Sequence, residues 1–517
     1  MKTKLIGLLV CMLMIATAVP AVTSIKNSTI HATIASTPRV SMAGIWTEGQ
    51  DIHAADGAAG DVFGNAISLS GDTALITAAY DDDNGAQSGS AYVFTRTNNA
   101  WTQQQKLTAS DGAAGDQFGY FASLDGDTAL IGAVADDNFK GSAYVFTRTG
   151  TTWTLQQKLL ALDGQAGDQF GFFVALSGDT AFIGANHDND NGNMSGSTYV
   201  FTRTGTTWTQ QQKLLALDGQ AGDRFGGSIF FSADTALIGA YYDDDNGVDS
   251  GSAYIFTRSG STWTQQQKLL ASDGAAGDNF GTFTALSGDT AVIGAPFDDD
   301  MGTNSGSAYV FTRTGTTWTQ QQKLHASDGA QGDEFSYYGI SLDGDTAIIG
   351  ANYDDDMGIN SGSAYVFTRT GTTWTQQQKL LASDGAAGDD FGFSVALSGD
   401  TALIGADGND HTGSAYVFTK VGTSFIITGG LGVHLMVTNN GTVNATSIPW
   451  SIHVQGGMLG RINKTANGTI DIPAGGTKTV GTGMLFGFGS LAIAATVAGE
   501  DKTASGKQLI IYTKVKK

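Results

Sequence analysis

Runs of aspartate recur along the 517-residue chain: Asp81-Asp82-Asp83, Asp136-Asp137, Asp188-Asn189-Asp190, Asp243-Asp244-Asp245, Asp298-Asp299-Asp300, Asp354-Asp355-Asp356 and a reduced Asp407-Gly408-Asn409-Asp410. A second set sits in Asp-Gly-x-x-Gly-Asp segments such as Asp111 to Asp116 and Asp273 to Asp278. Carboxylates packed this closely repel one another, and a hard divalent cation would relieve the repulsion. Calcium takes about six to eight oxygen ligands from flexible loops and needs neither His nor Cys. The candidate Ca2+ ligands are therefore Asp81, Asp83, Asp243, Asp245, Asp298, Asp300, Asp354 and Asp356, and Ca2+ is the one cofactor to expect. The competing reading is plainer: Asp, Asn and Gly form turns well, and a charged face keeps molecules apart in solution.

Other chemistry has less support. The seven histidines (His31, His53, His187, His325, His411, His434, His453) hold no common place in the pattern, so a catalytic or metal-binding histidine would have to be unique. Carboxylate pairs able to hydrolyse a glycosidic bond could lie across the molecule, but no pair is singled out among so many similar aspartates. A formal charge of −22 disfavours nucleic acid as a partner.

The acidic runs are carried by a repeat of about 55 residues, a period that signals an array of structural units. Its landmarks are Phe63, Phe118, Phe170, Phe225, Phe280, Phe335 and Phe391, each seventeen residues after Trp46, Trp101, Trp153, Trp208, Trp263, Trp318 or Trp374. In the copy from Phe118, a run to Leu124 turns at Asp125-Gly126-Asp127 and returns as Thr128 to Ala133. Past the acidic loop, Ser142 to Arg148 is rich in aromatic and β-branched residues, and Trp153 to Leu159 has the polar middle of an outer edge. Four strands of this kind bury both faces only when stacked between neighbours, which predicts an all-β, seven-bladed β-propeller. The array opens on a Trp strand (Ile45 to His53) and ends on a third strand (Ser414 to Thr419), so the first strand should complete the last blade and hide its edge. The loop between strands 2 and 3 and the connection from strand 4 to the next blade then leave on one face, ringed with carboxylates.

Phe-Gly at the head of the first strand and Ile131-Gly132-Ala133 or Ile293-Gly294-Ala295-Pro296 at the end of the second resemble the FG-GAP repeat of the integrin α-subunit N-terminal propeller, in the variant found in secreted microbial proteins. The resemblance implies a recognition propeller that meets ligands on the acidic face. It does not transfer the integrin calcium loops, because the Ser-Gly-Asp or Asp-Gly-Asp turn between strands 1 and 2 is too short to wrap an ion.

The remainder of the chain reads as follows. Residues 1–21, with Lys2, Lys4 and an apolar run to Val19, look like a signal peptide containing the only cysteine, Cys11. Residues 22–42 form a linker, 43–420 the propeller, and 425–517 a small immunoglobulin-like β-sandwich. Within it Met484 to Val497 is expected as a pair of core strands, too short and glycine-rich to span a membrane. Glycosylation sequons begin at Asn27, Asn193, Asn440, Asn444, Asn463 and Asn467. The expected function is non-catalytic: a secreted or cell-surface recognition or adhesion protein, monomeric, with no membrane span in the mature chain. Its equivalent loops would bind an extracellular protein or glycan multivalently with the help of Ca2+. An extracellular carbohydrate-active hydrolase and a cell-envelope structural protein are the alternatives.

Overall fold

The computed structural model describes residues 45–409, 412–421, 423–429, 433–439, 445–456, 462–473, 475–482, 487–497, 500–510 and 512–516. The signal peptide and linker expected before residue 43 lie outside these residues, as do Asn27, Asn440 and Asn444. No helix among the described residues is long and apolar enough to cross a membrane.

Seven antiparallel four-stranded sheets form the blades. The third, for example, comprises Phe170–Ser177, Thr180–Ala185, Ser197–Thr204 and Thr207–Leu214 in that spatial order. Its second strand is buried at every position, as a strand covered by neighbours on both faces must be. The blades from Phe225, Phe280 and Phe335 depart from expectation: their first strands start late, at Ser228, Thr284 and Ile340. The Phe keeps its place there through its own N–H, which bonds the carbonyl of Ser195, Ser250 or Ser305 in the preceding blade.

That joint recurs all round the ring and explains the Phe-Gly pair. At Gly171 φ is +93°, and a Cβ would run into the Ser142 carbonyl of the blade before, which favours glycine; the one exception, Ser336 at φ 80°, donates its hydroxyl to the corresponding Ser307 carbonyl at 2.7 Å. Phe170 packs edge-on against Tyr199 at 5.3 Å and Phe201 at 6.0 Å, fully buried.

The strand Ile45–Ile52 pairs antiparallel with Ser414–Val421, Trp46 opposite Lys420, and so completes the blade of Phe391–Ser398 and Thr401–Ala406. The outer rim is closed by side chains. The Gln157 amide donates to the Trp208 carbonyl at 2.9 Å and accepts the Trp208 N–H at 2.8 Å, replacing the strand partner that an outermost strand lacks. Gln50, Gln105, Gln212, Gln267 and Gln322 hold the Trp of the next blade in the same way, and Gln378 holds Trp46 across the closure. Seven such clasps make a complete circle.

C-terminal to the propeller, three strands (Thr423–Gly429, Val433–Asn439, Thr477–Gly481) and five strands (Ala445–Gly456, Ile462–Ile472, Gly487–Val497, Glu500–Ile510, Tyr512–Lys516) form two antiparallel sheets. They share one apolar cluster containing Leu435, Val437, Ile452, Val454 and Ile493, to which Val421 of the propeller also belongs. Two antiparallel sheets are thus present where the immunoglobulin-like sandwich is expected. The strand pair expected within Met484 to Val497 is corrected: Gly487–Val497 is a single strand that pairs with Glu500–Ile510. Its two glycines, Gly487 and Gly489, fall inside the ladder and do not make a turn.

Trp208→Ala should cost about 3–5 kcal/mol in urea unfolding, the range for emptying a buried aromatic site. Gln157→Ala should cost about 1–3 kcal/mol, because it leaves the Trp208 N–H and carbonyl without partners while removing little packing. Equal, small effects for the two would show that the rim does not hold the ring together.

Candidate ligand-binding face

The acidic loops and the blade connections do meet on one face, and in six of the seven blades a lysine stands at the centre of the group. Lys268, near the end of an outer strand, places Nζ 2.9 Å from Asp218, 2.8 Å from Asp243 and 2.5 Å from Asp245. Asp218 comes from the connection before the blade, and Asp243 and Asp245 from the 2–3 loop. Tyr254 donates its hydroxyl to Asp243 at 2.9 Å, and the ammonium lies 5.2 Å from the Tyr254 ring centroid. Lys106 binds Asp56, Asp81 and Asp83; Lys323 binds Asp273, Asp298 and Asp300; Lys379 binds Asp328, Asp354 and Asp356. Lys213 repeats the arrangement with Asp163, Asp188 and Asp190, and Lys158 with Asp111 and Asp136. All eight aspartates expected to ligate calcium are thus on the expected face, in pairs, turned onto an ammonium group.

Burial alone would raise the Asp81 carboxyl, but Lys106, the Asp83 N–H and the Tyr92 hydroxyl outweigh it and hold it below its ordinary value. Burial likewise favours neutral Lys106, and the three aspartates more than reverse this. The position that a cation would take is filled by the protein's own charge. The carboxylates as arranged do not fit Ca2+, and among the described residues no group of three or more His, Cys, Asp or Glu is placed to hold a metal ion. The last blade departs from the pattern. Asp51 stands where the others have lysine and pairs with His53 Nε2 at 2.6 Å, while Asn409 replaces the first loop aspartate and donates to the Tyr416 hydroxyl at 2.7 Å.

A second feature of this face was not foreseen. The residue before each landmark Phe is held in the left-handed region, at Val62 (φ 54°), Gln117 (55°), Gln169 (60°), Arg224 (56°), Asn279 (55°), Glu334 (50°) and Asp390 (54°). Such a backbone is uncommon for residues with a Cβ, and here it occurs seven times with six different residue types, glutamine alone appearing twice. Two further variable positions join it: the residues after Phe-Gly, and the pair after the second strand. From these positions Val62 borders one, and Gln169, Arg224 and Asn279 the other, of two adjoining axial cavities of about 390 and 380 Å³, which share Tyr120, Phe121, Phe283 and Tyr338 as walls. The first is a channel of mixed character, bordered by Ile67, Val174 and Leu342 together with Ser123, Ser341 and Asp407. The outer one is a mouth walled by Tyr241, Tyr242, Phe297 and Tyr337 with Gln169, His187, Arg224 and Asn279 between them. Tyr337 lies 4.1 Å from Tyr338 and 5.6 Å from Phe297, centroid to centroid.

Charges here lack the partners found elsewhere. Arg224 stacks 4.7 Å from the Tyr242 centroid and donates to the Tyr241 hydroxyl at 3.3 Å, and it alone of the described arginines makes no ion pair. Glu334 makes no side-chain bond among the described residues, and burial pushes its carboxyl up to about 7. Asp390 is raised to about 6 by burial and by Asp389. Reasoning from what recurs could not find these residues, since their signal is that they do not recur.

Two expectations follow. Lys268→Met, which leaves three carboxylates without a counter-charge, should destabilise by about 3–5 kcal/mol and make the melting temperature rise with Ca2+, whereas the parent should melt alike with Ca2+ or chelator in scanning calorimetry. A calcium-specific rise in the parent would return these aspartates to a metal. Glu334 binds its proton more tightly folded than unfolded, so its ionisation destabilises the fold from its ordinary value near 4.5 upward, in full above about 7. Glu334→Gln should therefore gain stability relative to the parent as pH rises from 4.5 to 7; a parallel pair of stability curves would show that Glu334 titrates normally.

The FG-GAP repeat family model matches the chain seven times, at residues 46–94, 101–146, 153–201, 208–256, 263–311, 318–367 and 374–418. Integrin alpha-2 of Mus musculus is 28% identical over an aligned stretch covering 28% of this chain, which spans only 14% of the integrin. A chain in a crystal structure of the mitotic checkpoint complex is similar over 77% of this chain and 99% of its own length, at a TM-score of 0.46 and 11% identity.

Proposed function

Because the chain belongs to the FG-GAP repeat family, we propose that it is a non-catalytic recognition or adhesion propeller, acting outside the cell or on its surface, that takes its partner in the axial mouth. The observation that carries this reading is the distribution of unlike residues. Copies that agree along the rim and at the lysine clusters differ where they meet the axis. There they present aromatic faces beside half-buried, unpaired charges, which cost stability unless something outside the fold pairs with them. A concave, largely aromatic cavity with a few polar groups has the composition of a ligand pocket. The repeated acidic loops are satisfied internally, so they supply the rim of the face. Multivalent, calcium-assisted capture by those loops is the weaker account.

Secretion through residues 1–21 and a spacer or docking role for the C-terminal sheets belong to the same proposal. Asn193, Asn463 and Asn467, all exposed, would carry glycans where the producing cell can add them. One observation favours a second reading, an extracellular carbohydrate-active hydrolase. Burial also raises Asp407, which borders the channel, to about 7, and the charge of Asp390, itself raised, adds to it, so two acidic groups with displaced titrations act on each other there.

A glycan and protein array probed with the full chain, with and without Ca2+, tests the proposal. Tyr242→Ala should abolish capture, and Asp244→Asn with Asp299→Asn, in the exposed middle of two acidic loops, should leave it intact. The reverse pattern would place binding on the ring. Release of new reducing ends from a captured glycan, lost in Asp390→Asn, would establish the hydrolase.

A further inference from the structure

We propose that the axial mouth receives the end of a glycan that bears a single carboxylate, and that Arg224 is the residue that pairs with it. This rests on the reading of the mouth as the binding site and adds the chemistry of the ligand. The Arg224 guanidinium has five N–H donors. One of them is used, on the Tyr241 hydroxyl, and the stack on Tyr242 fixes the plane of the group. A planar, oriented guanidinium with free donors at a cavity wall matches a carboxylate in two-pronged fashion. Burial and Arg224 together lower the pKa of His187, on the same wall, so it stays neutral and leaves Arg224 as the local positive charge.

The field around the mouth limits how much negative charge the ligand brings. The chain carries −22 overall, and each lysine cluster has more carboxylates than ammonium groups. A polyanion would be repelled by that ring before it reached Arg224. One carboxylate on an otherwise neutral molecule would be admitted.

Two features favour a sugar over an acidic peptide. A peptide would need main-chain bonds along a strand edge, whereas aromatic side chains make most of the wall of the mouth. The walls offer ring faces for the apolar side of a pyranose, and the amide of Gln169 for its hydroxyls.

Isothermal titration of the full chain with a glucuronate-terminated oligosaccharide, its glucose-terminated counterpart and an acidic peptide tests the assignment. Arg224→Gln is a safe substitution, because Gln117 and Gln169 hold the equivalent place in other blades at the same left-handed φ. The parent should bind the glucuronate form at least about tenfold more tightly than the glucose form, and Arg224→Gln should erase that preference while Arg224→Lys keeps part of it. Equal binding of the two sugars, or a preference that survives Arg224→Gln, would overturn the proposal. So would Arg224-dependent binding of the peptide alone. If the sugars fail but an array ligand is still lost in Tyr242→Ala, the mouth remains the site and only the carboxylate assignment falls.

Discussion

A blade's outermost strand has one edge with no strand to pair with, and the whole ring depends on how that edge is satisfied. Backbone N–H and carbonyl groups at a sheet edge invite another chain. In this protein a glutamine from the preceding blade bonds both groups at the tryptophan, as a neighbouring strand would. Because the glutamine sits on the same strand position in each copy, the contact propagates from blade to blade and returns on itself at Gln378 and Trp46. Covering the edge also seals each tryptophan into the interface, where its ring adds apolar burial to the two hydrogen bonds.

The same economy governs the charged face. Clustered carboxylates would ordinarily call for a metal, and in six blades the lysine that follows the clasping glutamine of the rim strand supplies the positive charge instead. The ammonium rests over a tyrosine whose hydroxyl serves the most buried aspartate. Covalent attachment makes the cation permanent: its presence does not vary with the ion concentration of the medium. At the opposite end of the strands, Arg203 bonds Asp179 of its own blade and Thr128 of the blade before, so both ends of the stack are tied by charge-assisted bonds.

Much of this was legible in the residues. The Phe and Trp landmarks, the four strands between them and the borrowed first strand follow from spacing, because a repeat of fixed phase admits few closures. The lysine partners were harder to see. Lys268 lies 50 residues from Asp218 and 25 from Asp243 along the chain, and no local pattern reports that an outer strand and two loops converge. The mouth was hidden for the opposite reason. Positions such as Arg224 and Glu334 break the repeat, and in a reading built on recurrence a break looks like noise. Structure reverses that weight, since these positions share one backbone conformation and one location.

Closure by the first strand also sets an order on synthesis. Ile45–Ile52 can find its partner only once Ser414–Val421 has been made, and the hydrogen-bonded residues Thr47 and Thr419 are 372 positions apart. At about 5–20 residues per second, that strand waits roughly twenty to seventy seconds while six blades form behind it. A waiting strand of hydrophobic character would recruit strangers. This one keeps its apolar residues, Ile45, Trp46 and Ile52, at its two ends and places Thr47, Glu48, Gln50 and Asp51 between them. It is the copy in which the usual Gln-Gln-Gln-Lys has become Glu-Gly-Gln-Asp, adding acid and a glycine where the other copies, flanked from birth by a hairpin partner, have no such delay to survive.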